Sequence, residues 1–114
     1  MTEITTREKS VPVTNESTLS FEVYFRDYYL PWCRKRQVYY ETMKKYFLNV
    51  VPDWFKQLKL NQISTKESEM LQSYFMEKDY TIATVNRYFK IFLASMTKAY
   101  EWDLISEQRL KAIR

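Results

Sequence analysis

The chain has no glycine and no histidine, one cysteine and three prolines among 114 residues. Each shortage closes off some chemistry. Walker and dinucleotide-type loops bring backbone against phosphate where a Cβ does not fit, so without glycine they are excluded, and the favoured left-handed turn residue is missing too. Without histidine, and with Cys33 as the only thiol, Cys/His metal sites, Cys–His and Ser–His nucleophile pairs and an internal disulfide are excluded. A lone thiol suits a reducing compartment. No apolar run approaches the roughly 18 residues of a membrane span, and Met1 to Ser20 is polar and mixed in charge rather than signal-like. The expectation is a soluble, intracellular chain with no metal and no cofactor.

What is abundant is aromatic: seven Phe, ten Tyr and three Trp. Their spacing is helical. From Thr81 to Trp102, the residues Val85, Tyr88, Phe89, Phe92, Met96, Ala99 and Tyr100 recur at steps of three and four, which predicts one long amphipathic helix of roughly 30 Å. Asn86, Arg87, Lys90, Thr97 and Lys98 fall on the other side. Thr81 or Thr84 caps its start.

Three earlier segments repeat the pattern. Ser20 can cap a first helix beginning at Phe21, with Phe21, Tyr24, Phe25, Tyr28 and Tyr29 inward, and Pro31 should kink or stop it near Leu30. A second helix is expected from about Gln37 to Val51, with Tyr39, Met43, Tyr46, Phe47 and Val50 inward, closed by Pro52. Trp54, Phe55 and Leu58 then tuck under the core. Ser64 and Glu67 form a capping box for a third helix, Thr65 to about Lys78, with Met70, Leu71, Tyr74 and Phe75 inward. No stretch alternates with period two. The fold class is therefore all-α, a compact bundle of four main helices. Residues 1–18, with Pro12 and Asn15 and few large apolar groups, are expected to form a flexible, disordered tail or linker.

The net charge of +4 is unevenly placed: residues 34–59 hold seven Lys and Arg against Glu41 and Asp53. Lys44, Lys45 and Asn49 lie opposite the core stripe of the second helix, as Asn86, Arg87, Lys90 and Lys98 do on the long one. Two such faces could straddle a duplex, Asn and Arg bonding base edges while Lys and Thr hold phosphates. An ordinary solvated face fits the same residues. Cys33 reads as a small buried side chain. The tyrosines on core stripes read as packing.

Several pieces occur in a distinctive order. An aromatic first helix, Phe21 to Trp32, precedes a second that ends at Val50-Val51-Pro52, and Leu60-x-x-Ile63-Ser64 opens the third. Thr84-Val85-Asn86-Arg87 is followed by Ala99-Tyr100-Glu101-Trp102-Asp103-Leu104-Ile105. Over about Leu19 to Ile105 this resembles the N-terminal, SAM-like core-binding domain of the tyrosine recombinases or phage integrases. The sequence departs from that pattern where a glycine usually follows the proline turn and where Asn-Pro usually forms the exit; here Ser106 and Glu107 follow Ile105, so Glu107 to Arg114 is expected either to continue as a helix or to form a frayed tail.

The resemblance implies a clamp on one side of a double-stranded recombination core site, in a bacterial or phage-encoded cytoplasmic protein. It implies Lys44, Lys45, Thr84, Asn86, Arg87, Lys90, Thr97 and Lys98 as DNA-binding residues and no catalytic residue in this chain. The Arg/His cluster and the tyrosine nucleophile would belong to a catalytic domain of the same parent, with residues 19–105 as the binding domain and 106–114 as an exit linker toward it. The isolated domain would be a monomer without membrane contact. The competing expectation is a helical protein-interaction domain presenting Tyr40, Trp54 and Trp102.

Overall fold

The computed structural model describes residues 16–36 and 39–114, and they are all-helical, with no strand among them. Residues 1–15, which carry most of the expected tail, lie outside the described residues. The first helix, α1, runs over residues 21–36 in three parts. Phe21–Tyr24 is α-helical, Phe25–Tyr29 is a π turn, and Leu30–Arg36 is α-helical again. Ser20 caps it, accepting from the Val23 N–H at 3.1 Å. Pro31 does not stop this helix. A proline ring crowds the carbonyl four residues back and offers no N–H, and the turn before it widens: the Leu30 N–H reaches Phe25, five residues back. The wider turn lets the helix continue while Phe25 and Tyr29 both stay buried.

The helix α2 is Tyr40–Asn49, α3 is the short Asp53–Lys56, and a 3-10 turn covers Leu60–Gln62. Thr65–Met76 forms α4, opened by the Ser64–Glu67 capping box. The long helix α5 is Ile82–Glu101, with Thr81 accepting from the Thr84 N–H. Without glycine, the left-handed positions fall to Tyr39 and Asp103. Asp103 ends α5 in a Schellman motif: the Leu104 N–H bonds to Ala99 O at 2.8 Å and the Asp103 N–H to Tyr100 O at 2.9 Å. Tyr39, expected inward, is 74% exposed on its left-handed backbone. Met70 and Tyr28, also expected inward, are exposed. A helix stripe buries only the width its neighbours cover.

The core is a packed set of rings. Phe21 lies 5.1 Å from Phe55 and 5.5 Å from Phe25, Phe25 stacks on Phe47 at 5.2 Å, and Phe92 meets Phe55 at 5.4 Å. These contacts join α1, α2, α3 and α5. The Tyr24 hydroxyl donates to Ser95 O at 2.6 Å, tying α1 to α5. The Tyr46 hydroxyl is buried and finds no partner among the described residues. An orphaned buried hydroxyl is costly, so Tyr46→Phe is expected to leave stability unchanged or raise it by up to about 1 kcal/mol. Urea denaturation checks this; a clear loss would reveal a bond to the hydroxyl.

The C-terminal segment is a helix, one of the two forms expected of it. Ser106 caps a sixth helix, α6, Glu107–Ile113, with Leu110 and Ile113 buried in the same core. Two hydroxyls of α4 receive its last carbonyls, Thr65 donating to Ala112 O and buried Ser68 to Ile113 O. Residues 106–114 are thus part of the bundle, because Leu110 and Ile113 at a spacing of three give α6 an apolar side. Two of the three described residues of the expected tail, Glu16 and Ser17, are tied down as well. Ser17 N–H bonds to Leu104 O at 2.8 Å, and the Glu16 carboxylate takes the Ser106 N–H at 2.9 Å and the Arg109 guanidinium at 2.8 Å. Among the described residues no helix is long and apolar enough to cross a membrane.

Candidate nucleic-acid interface

Two faces that the sequence paired on paper do meet, in part. The α2 residues Thr42, Lys45 and Asn49 recur at steps of three and four and share one side of that helix. On α5, Ala83, Asn86, Arg87, Lys90 and Ala94 do the same. Between the helices lies a cleft of about 320 Å³ where Lys45 and Asn49 face Arg87 across a floor of Tyr46, Val50 and Ile91. It adjoins a second hollow of about 390 Å³ bearing Asn86, Arg87 and Lys90 beside Met43. Arg87 lines both. Small Ala83 and Ala94 leave the second hollow open at its ends.

Lys45, Asn86, Arg87 and Lys90 are exposed, and among the described residues none of the three cations is paired with a carboxylate. Guanidinium, ammonium and amide groups lining a hollow with apolar residues can take phosphate oxygens or the donors and acceptors of base edges. No group of three or more His, Cys, Asp or Glu side chains that could hold a metal is found among the described residues.

Four of the eight sequence-assigned residues therefore come together: Lys45, Asn86, Arg87 and Lys90. The other four do not join them. Lys44 is one residue, and so about 100° of helix, from Lys45. It turns to the opposite side of α2, beside Arg34 and Lys35. Thr84 is spent on the helix start, its Oγ1 3.0 Å from that of Thr81. Thr97 donates to Leu93 O at 2.9 Å within its own helix.

Lys98 is not an outward grip. Its ammonium sits 4.4 Å from the centre of the Trp32 ring and 5.4 Å from that of Trp102, and pairs with Glu101 at 2.9 Å. Two indole faces and a carboxylate satisfy that charge inside the protein. Spacing places Lys98 on a polar face but cannot show that α1 brings Trp32 across to it.

Thr42, Asn49 and Tyr88 complete the cleft. Asn49 was legible as part of the polar face of α2, whereas Ile91, missing from the expected stripe, is revealed as buried floor only by packing. Of the aromatics proposed for partner binding, Tyr40 and Trp102 are partly buried against the core, and Trp54 is 38% exposed. No family model, no curated protein and no solved structure matches this chain.

Proposed function

We propose that the chain is a non-catalytic DNA-binding module of the tyrosine recombinase or phage integrase type, clamping one side of a duplex recombination core site. The observation that carries this is the cleft in which Lys45 and Asn49 of α2 face Arg87 of α5, with Asn86 and Lys90 alongside. Asparagine and arginine suit bidentate contact with base edges, and the lysines suit phosphates. The resemblance carried by Thr84 to Arg87 directs the same stretch toward DNA.

Strand cleavage and joining would fall to a separate catalytic domain of the same parent. There is no histidine to complete the family's cluster. Burial, with neighbouring Tyr29, pushes the Tyr24 and Tyr46 phenols well above their ordinary value, whereas a phenolate nucleophile needs the reverse. The isolated module is a monomer in this reading.

Fluorescence anisotropy with duplex DNA carrying an attachment site tests this. Binding should weaken steeply as salt rises. Arg87→Ala should lose about 1–3 kcal/mol of affinity, with a smaller loss for Lys45→Ala and almost none for Lys98→Ala, whose ammonium is already held by Trp32, Trp102 and Glu101. Flat anisotropy at low salt, or amide shifts confined to α4, would overturn the proposal.

A further inference from the structure

On the side of α2 away from the cleft, between that helix and the second half of α1, runs a separate groove of about 580 Å³. Its floor is apolar, made by Leu30, Pro31, Tyr40, Phe47 and Leu48, and Leu48 is 58% exposed. Its rim carries Arg26, Arg34, Lys35 and Lys44, and among the described residues no carboxylate lines it. Arg26 is neutralised by its neighbour Asp27 through two hydrogen bonds of 2.9 and 3.1 Å. Arg34 rests over the Tyr40 ring at 5.8 Å, which fixes its guanidinium at the rim. Glu41 lies on α2 beside Tyr40 but does not line the groove, so Arg34, Lys35 and Lys44 set the sign of the local field.

We infer that this groove docks an acidic amphipathic segment of another protein, one that places a bulky apolar side chain on Pro31 and Leu48 between carboxylates facing Arg34, Lys35 and Lys44. Charge complementarity selects the occupant. A phosphate backbone would meet the rim but has nothing apolar to set on the floor, and a purely apolar segment would leave three cations without partners. The volume lies in the range that accepts such a side chain. The apolar anchor supplies most of the affinity, and the charges steer the approach and fix the register. This site is distinct from the Arg87 cleft and stands whether or not that cleft binds DNA.

The test uses the whole chain and fluorescein-labelled peptides: one alternating Glu with Leu, one alternating Glu with Ser at equal charge, and a duplex DNA as comparison. The Glu–Leu peptide should bind and shift the amides of Arg34, Lys35 and Leu48. The Glu–Ser peptide should bind about tenfold more weakly. Leu48→Asp, and Arg34→Glu together with Lys35→Glu, should each weaken the Glu–Leu peptide at least about tenfold, whereas Arg87→Ala should not change it. The substituted side chains are exposed, and circular dichroism confirms that the variants fold. No binding of the Glu–Leu peptide, equal binding of the Glu–Ser peptide, indifference to Leu48→Asp, or groove shifts caused by DNA instead of peptide would each overturn the inference. Loss of DNA binding with peptide binding intact would sink the proposed function alone.

Discussion

Phe92→Ala is expected to destabilise the protein by about 3–5 kcal/mol, a large share of the stability of a domain this size. Phe92 is fully buried, and its ring lies 5.4 Å from Phe55, 6.2 Å from Phe21 and 5.6 Å from Phe89. It is the point at which α5 meets both α1 and α3. Removing the ring loses its transfer free energy and leaves a cavity that the surrounding rings cannot fill, because each is held by others. Urea denaturation should show a lower midpoint at an unchanged slope, and Phe92→Leu should recover much of the loss. The consequence reaches the candidate interface, since Asn86, Arg87 and Lys90 stand on the same helix. A cost below about 1 kcal/mol would mean that this cluster is not the centre of the core.

The second large effect is expected at the contact between the two ends of the described chain. Glu16 has a side chain only 4% exposed, and it holds the Arg109 guanidinium at 2.8 Å and the Ser106 N–H at 2.9 Å. Arg109 also donates to Ile63 O at 2.8 Å. One guanidinium thus ties the start of the described chain, the 3-10 exit and α6 together. Arg109→Ala leaves the Glu16 carboxylate nearly dry and without its countercharge, which should cost about 3–5 kcal/mol. For a domain of this length that corresponds to a fall in Tm of roughly 20 °C.

The same contact gives a pH dependence of known sign. Burial works to raise the Glu16 pKa, but the hydrogen bonds from Arg109 and Ser106 and the charge of Arg109 outweigh it, and the group ends below its ordinary value of 4.5. A carboxylate with a lowered folded-state pKa contributes stability that is fully present above its unfolded value. That contribution is lost as pH falls through the folded one. Chemical denaturation from pH 7 down to pH 3 should therefore show a steeper loss below about pH 4.5 in the parent chain than in Glu16→Gln. Equal slopes would mean that the pair makes no net contribution.

Most of the secondary structure was legible because its signals are local. The Ser20, Ser64 and Thr81 caps and the steps of three and four along α5 depend on neighbours within one or two turns, and these elements start where the residues place them. The π turn before Pro31 is local in cause but not in outcome. The sequence shows that the ladder is broken there, and only packing of Phe25 and Tyr29 on both sides of the break makes the helix continue. The candidate interface was half legible. Arg87, Asn86 and Lys90 follow from the spacing of one helix. The separation of Lys44 from Lys45 follows from helix geometry too, once the outward direction of α2 is known, and that direction is set by α1.

By itself the sequence determined that the chain is helical, that its core is aromatic, and that glycine-loop, histidine and disulfide chemistry are absent from it. Composition and short-range periodicity decide such matters. Only the tertiary structure decided that Lys98 is caged by Trp32 and Trp102, that Glu16 locks onto Arg109, and that residues 107–113 pack as a helix on the bundle. It also decided that the basic residues divide between an open cleft and a separate apolar groove. Each of these joins groups tens of residues apart, and their pairing is fixed by how helices pack, which no local spacing encodes.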